Sequence, residues 1–544
     1  MMGRRPFVVL GGVAFVAAAA AGCARTSEGQ SVSSIAQVRQ MAYLKAANPD
    51  MGDHFACGGS LPGHIGDAVA ISADGNTIVV GAPHESSAAR GINGNAADNS
   101  LYAAGAVYVF VRRGAAWVQQ AYVKASNAGQ SDLFGMNVAV SADGNTMAVS
   151  APWERSAATG INGDQSDDSL AQAGAVYVFT RAGDSWSQQA YVKASNTGRR
   201  PAGEADLLAD GDQFGFSLTL SGDGNTMAVG ATTEDSAATG INGDQANDSA
   251  QSAGAVYLFA RTGNTWTQQA YLKGSNTEAA DLFGYDVSLS HDGNTLGAAG
   301  YDEDGPGRGV NVDQGNGRNG SGAIYVFSRT GTNWRQDAYL KGSRSEGNDA
   351  LGFSVAISGD GNTIVAGAGD ESCLVGGINP SGCDTDKPAD ASGGSAGAAY
   401  VWARSGNMWA EQAFIKASNP DLQDLFGANV AVSGDGNTVL VGAAMEDSRA
   451  RGVNGEQQDD SATESGAAYL FTRSGTTWSQ RAYIKAENSE EFDEFGTSVA
   501  VSRDGRRLII GARMESSGAA GINGNQSDNS IPQAGAVYVW EMAP

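Results

Sequence analysis

The phrase Ser-x-Asp-Gly-Asn-Thr recurs along this chain at Asp74, Asp143, Asp223, Asp292, Asp360 and Asp435, and in altered form as Arg503-Asp504-Gly505-Arg506. Seven copies, spaced 68 to 80 residues apart, make the chain a tandem array. The second copy is the clearest. Asp-Leu-Phe-Gly leads into Met136 to Ser141, then the Asp143-Gly144 turn, then Met147 to Pro152. Val138 and Val140, with Met147 and Val149, alternate with the period of two that a strand requires. Asp-Gly between two such runs predicts a two-residue hairpin with both central residues at positive φ. A long polar loop, a third strand from Ala173 to Phe179, a turn at Gly183 to Trp186 and a fourth strand from Gln188 to Lys193 complete the unit.

The two ends of the array predict how the units join. Six copies carry a Gly-x-x-Trp turn after the third strand, at Trp117, Trp186, Trp266, Trp334, Trp409 and Trp478. The seventh stops within its third strand, at Val537 to Trp540, while Ala42-Tyr43-Leu44-Lys45 reads as a fourth strand without its first three. If that orphan completes the seventh copy, the array closes into a ring and its exposed edges disappear. The expected fold is all-β: a seven-bladed β-propeller of four-stranded antiparallel blades over residues 38–541, closed by the N-terminal strand. An open solenoid would leave both ends incomplete.

Phe134-Gly135 with Ala151-Pro152, Phe283-Gly284, Phe426-Gly427 with Gly442-Ala443, and Gly81-Ala82-Pro83 resemble the FG-GAP repeat. The resemblance implies the propeller of integrin α subunits and bacterial surface lipoproteins, with a binding or adhesion role. Integrin-type calcium loops, Asp-x-Asp-x-Asp-Gly between the first two strands, are replaced here by a short turn with a single aspartate, so those sites are not carried over. No Arg-Gly-Asp tripeptide occurs.

The N-terminus reads as an export signal. Arg4 and Arg5 precede an apolar run from Phe7 to Ala21, which is shorter than a spanning helix. Ala20-Ala21-Gly22-Cys23 resembles a lipobox, with alanine in place of the usual leucine. Residues 1–22 are then a lipoprotein signal peptide, Cys23 is the lipidated residue, and 23–37 form a tether. The implied location is the cell envelope, anchored to the outer membrane or cell surface by the N-terminal lipid. Cys373 and Cys383 share one loop and are expected to bridge in that oxidising setting. Cys57 is left as an odd, buried thiol.

Three polar positions recur in all seven copies. An aspartate precedes the Phe-Gly position: Asp53, Asp132, Asp212, Asp281, Asp349, Asp424 and Asp493. A glutamate follows the second strand: Glu85, Glu154, Glu234, Glu303, Glu371, Glu446 and Glu515. A lysine ends the fourth: Lys45, Lys124, Lys193, Lys273, Lys341, Lys416 and Lys485. All fall at one end of the blades. One reading is structural, with carboxylates accepting backbone N–H bonds and pairing with the lysines. The other is calcium, with Glu154, Asp164 and Asp168, and Glu234, Asp244 and Asp248, as hard oxygen ligands drawn in part from the Gly-Ile-Asn-Gly-x-Gln loops.

Fifty-nine acidic against 34 basic residues give a net charge of −25, which repels phosphate backbones and excludes nucleic acid as a partner. Seventy-six glycines without a three-residue period, beside 12 prolines, exclude collagen. His54, His64, His84 and His291 show no metal-ligand spacing, and no nucleophile elbow or phosphate loop stands in a strand–helix context. The expected function is a non-catalytic binding or adhesion module for an extracellular protein or glycan. The alternative is a calcium-dependent, lectin-like propeller. Trp153 and Tyr301 are the expected ligand contacts, the Gly-x-x-Trp tryptophans the expected packing anchors. The aberrant loops Gly305 to Gly322 and Cys373 to Gly394 are where an enzyme activity would lie.

Overall fold

The computed structural model describes residues 38–58, 67–198, 211–383 and 394–543. The signal peptide, Cys23 and the tether lie outside the described residues. Seven antiparallel sheets are arranged in sequence order, and no described residue is helical. The first blade consists of Val69–Ile71, Thr77–Ala82, Ala106–Arg113 and Ala116–Val123, from innermost to outermost. The seventh is Phe495–Val501, Arg507–Ala512 and Ala536–Met542, with Val38–Leu44 as its fourth strand. The ring closes there: Val38 pairs with Met542 and Leu44 with Val537, with one register shift between Gln40 and Ala42. Innermost strands of adjacent blades touch all the way round, the seventh against the first included.

The alternating apolar residues of each blade fill the space between it and its neighbours. The phenylalanine before each Phe-Gly glycine is buried, and in the second, third, fourth and sixth blades it meets two aromatic rings of the third strand edge-on, as Phe134 meets Tyr177 at 5.3 Å and Phe179 at 6.2 Å. In the fifth blade Leu351 replaces that phenylalanine and Trp402 replaces the third-strand one, so the two changes offset in volume. Glycine is required where blades meet backbone to backbone. A Cβ on Gly81 would lie 1.8 Å from the Gly135 carbonyl oxygen, and Gly135 itself takes φ +95°.

The Asp-Gly turn differs from its sequence reading. Only the glycine has positive φ, as at Gly144 (+69°), while the aspartate does not. Gly144 N–H donates to the Ser141 carbonyl, and Ser141 and Thr146 close a four-residue loop. Asp143 stabilises it by accepting from Ser141 Oγ at 2.6 Å and from Asn145 N and Nδ2 at 2.9 Å. The aspartate therefore selects the turn by hydrogen bonding, not by tolerance of a left-handed backbone.

Candidate functional site

The recurring glutamates and lysines meet at what is taken here as the upper end of each blade. Lys193 Nζ lies 2.8 Å from Glu154 Oε2, with both side chains buried. The remaining acceptor sites of Glu154 are filled by Tyr191 Oη at 2.9 Å, Asn127 Nδ2 at 2.9 Å and Ser156 N at 3.1 Å. Four donors saturate a carboxylate. The pair recurs in every blade, from Lys45–Glu515 to Lys485–Glu446. Burial pulls Lys193 below the ordinary lysine range while Glu154 opposes the shift.

The recurring aspartates are also engaged. Each accepts a backbone N–H three residues earlier in six blades, as Gly129 N donates to Asp132 Oδ2 at 2.7 Å, and Gly198 N does the same for Asp212 at 2.8 Å. Burial pushes Asp132 up to about 7 and Asp212 up to about 8.

The two sets of calcium ligands read from the sequence do not converge. Glu154 and Glu234 face inward on their lysines, whereas Asp164 is exposed and accepts from Ser166 N and Oγ, and Asp244 accepts from Ala246 N. Asp168 and Asp248 are exposed in the same loops. Among the described residues, the one group of three such ligands within 4.8 Å is Glu371, Cys373 and Cys383, where the two sulfurs are bonded to each other. The Gly-Ile-Asn phrase has a different task. Asn162, at φ +55°, donates its N–H to the Tyr191 carbonyl at 2.7 Å and accepts from Tyr191 N at 3.0 Å. The same strap recurs from Asn93–Tyr122 to Asn523–Tyr43 and covers the outer edge of every blade.

The Gly-x-x-Trp tryptophans are brackets between blades. Trp186 Nε1 and Arg181 Nη1 both donate to Gln120 Oε1 of the preceding blade, at 3.0 and 3.1 Å, with the guanidinium over the indole. Equivalent bonds hold Trp266, Trp334 and Trp478. At no more than 7% exposure these indoles offer no stacking platform. Trp153 is half-buried against Ala103, Leu133 and Met136. Tyr301 belongs to a larger aromatic group at the upper ends of blades three to five. It stacks on Tyr285 at 4.3 Å and meets Phe353 at 5.7 Å, while Phe216 lies 5.2 Å from Tyr285. Phe216, Tyr285 and Phe353 follow the Phe-Gly glycine, where the second, sixth and seventh blades have Met136, Ala428 and Thr497.

A second set of irregular residues meets where the seventh blade joins the first. The His54 and His84 rings lie 4.7 Å apart, Arg513 Nε donates to Glu494 Oε2 at 2.5 Å, and the buried Cys57 is beside Arg513. Burial, then His54 and Arg513, pull His84 down to about 4, so it is neutral.

Sequence reasoning missed the axis. A channel of about 270 Å³ runs between the innermost strands, walled by residues such as Val69, Val140, Leu220, Ile357 and Val432. Near its upper end, polar side chains tie each blade to the next: Asn137 Nδ2 to the Phe216 carbonyl, Ser217 Oγ to the Gly284 carbonyl, Val355 N to Asp286, Val499 N to Asn429. Asp67 and Asp286 both belong to this belt, one repeat position apart, and burial raises both, Asp67 to about 6. At the lower mouth a backbone chain runs from Ala73 N to the Ala142 carbonyl, then through Gly222, His291 and Gly359, and from Asp360 N through Gly434 to Arg503. There Arg503 Nη1 lies 3.1 Å from His291 Nε2. Arginine only donates, so Nε2 is the acceptor and the imidazole is neutral. A blade-by-blade comparison exposes the signal: His291 and Arg503 stand where other copies have alanine or glycine.

Repetition, closure and a single ring of structural ion pairs define a seven-bladed repeat propeller. Residues 117–179, 266–327, 409–471 and 478–540 match the FG-GAP repeat, each match running from the outer strand of one blade into the third strand of the next. The chain carries FG-GAP repeats in these four stretches. No curated protein shows significant similarity to it. Among solved structures, a candidate 6-phosphogluconolactonase from Bacteroides uniformis aligns at 10% identity over 77% of this chain and 85% of its own, with a TM-score of 0.42. The RRP9 WD40 repeats align at 10% identity over 93% and 100%, with a TM-score of 0.46. At that level neither bears on what this chain does.

Proposed function

We propose that this propeller is an exported, lipid-anchored cell-envelope module that binds an extracellular protein or glycan at its upper face, without catalysis. One observation carries the reading. The repeated charged groups are consumed by internal bonds, whereas Phe216, Tyr285, Tyr301 and Phe353, from blades three to five, form one aromatic group at the upper ends. Tyr285 and Phe353 are buried and hold the half-buried Phe216 and Tyr301 in place, and rigidly held, part-exposed aromatic side chains are what recognition sites use. The strand Val38–Leu44 enters from the lower end, where Val38 faces Met542, and reaches the upper end at Lys45.

The test is a binding screen of the secreted chain on protein and glycan arrays, repeated with Tyr301→Ala. Loss of the strongest signals in the variant supports the reading; unchanged signals overturn it. Running the arrays with calcium and with chelator separates the lectin-like alternative, which requires loss of glycan signals on chelation. For the anchor, Cys23→Ser is expected to move the protein from the membrane to the soluble fraction, and unchanged detergent partitioning would refute it.

A further inference from the structure

The buried glutamate–lysine cluster is built one way in six blades and another way in the fifth. In the six, an asparagine joins the third-strand tyrosine to the glutamate. Tyr177 Oη donates to Asn127 Oδ1 at 2.6 Å, and Asn127 Nδ2 donates to Glu154 Oε1 at 2.9 Å. Asn48, Asn196, Asn276, Asn419 and Asn488 do the same. In the fifth blade Arg344 stands at the asparagine's place and Phe414 replaces the second tyrosine.

The exchange removes the acceptor and adds a donor. Tyr400 is 0% exposed and its hydroxyl has no hydrogen-bond partner, and the buried Nη1 of Arg344 has none either. Both side chains lie against one ring: the Arg344 guanidinium sits 4.7 Å from the Phe414 centroid, and the Tyr400 ring 4.9 Å from it. Nearby carboxylates are engaged elsewhere: Glu346 Oε1, though buried without a hydrogen bond, forms an ion pair with Arg308 at 3.8 Å. Glu371 pairs with Lys416 and accepts from Cys373 N, and Glu411 accepts from Ser343 N at 2.8 Å and Oγ at 2.6 Å. Asp349 accepts from Glu346 N.

Two buried donors, one of them permanently charged, face no acceptor, and leaving them so is expensive. We propose that the fifth blade holds a small monoanion, a halide or a carboxylate no larger than acetate, between Tyr400 Oη and Arg344 Nη1. The burial of both atoms sets the size limit, and the guanidinium favours an anion over a neutral acceptor. This inference does not depend on the binding role of the upper face.

Bromide tests it. Crystals of the full described propeller soaked in sodium bromide are expected to show an anomalous peak between the two side chains. Arg344→Asn with Phe414→Tyr restores the pattern of the other six blades, so it is expected to fold and to lose the peak. In solution, formate at constant ionic strength is expected to raise the melting temperature of the parent and leave that of the double variant unmoved. Density without anomalous signal, which is water, or equal formate responses in the two proteins, would overturn the proposal.

Discussion

Asp337 shows what one side chain contributes to the seams. It stands where Gln120, Gln189, Gln269 and Gln412 receive the next blade's tryptophan and arginine, and it pairs instead with Arg335 at 2.9 Å. Trp409 Nε1 is consequently buried without a partner. Asp337→Gln is expected to restore that bond and stabilise the protein by about 1 kcal/mol, read as a higher urea midpoint with an unchanged slope. The opposite experiment is Lys193→Met, which strands Glu154 in the interior and is expected to cost about 3 to 5 kcal/mol; adding Glu154→Gln should recover part of it. The sequence located these residues and offered both a lysine and a calcium ion as partners of Glu154 and Glu234; the structure pairs them with Lys193 and Lys273. A recurring acid looks the same in a string whether it faces a lysine or a cation, and its lysine lies 39 residues away in blade two and 470 away in blade seven.

At the scale of the element, the aspartate turns couple folding to pH. Held at about 7 to 8 against an ordinary value of 3.8, the seven aspartates keep protons that the unfolded chain has released. Their contribution is complete below the unfolded value and is lost as pH rises through the folded one. His54, His84 and His291 are pulled down by burial and act in the opposite sense below their ordinary 6.5. Above that range the aspartates dominate, so stability is expected to fall between pH 6.5 and 8.5 in urea titrations, with a shallower slope in Asp212→Asn. Strands were legible because alternation survives in every copy. The long loops were not: the Gly-Ile-Asn-Gly-x-Gln phrase fits a calcium loop as well as it fits the strap made by Asn162, because both draw on the same short polar residues. Glycines were legible as turns but not as contacts. Gly367→Ala, whose Cβ would fall 1.7 Å from the Gly427 carbonyl oxygen, is expected to destabilise by on the order of 3 kcal/mol or more in the same assay.

For the molecule as a whole, the ring closure read from two incomplete ends is what the strand pairing shows. Removal of residues 24–47 takes away Val38–Leu44 and bares the Ala536–Met542 edge, so aggregation or a clear loss of melting temperature is expected. Removal of 24–34 alone is expected to leave melting unchanged; identical melting of the two truncations would mean that another contact closes the ring. A net charge of −25 does not translate into seven repelling glutamates at the upper ends of the blades, because each is paired with a buried lysine. The axis escaped the reading because its belts are made of single atypical residues in otherwise repeated strands, visible only once the copies are set side by side in space.

The shared seventh blade also fixes an order in time. Arg39 and Glu541 are 502 positions apart, so the first strand to leave the ribosome has to wait for the last before it finds its place. Six blades are able to form as their own sequence arrives, but the seventh stays three strands wide until the whole chain exists. The entropic penalty of so long a loop is modest, about 2 kcal/mol more than for a loop the length of one blade, since it grows only with the logarithm of length. What grows is the interval during which an apolar edge stands open to other unfinished chains. An unjoined ring is open at one edge, and the pairing of its two ends marks the moment when that edge disappears and the fold becomes complete.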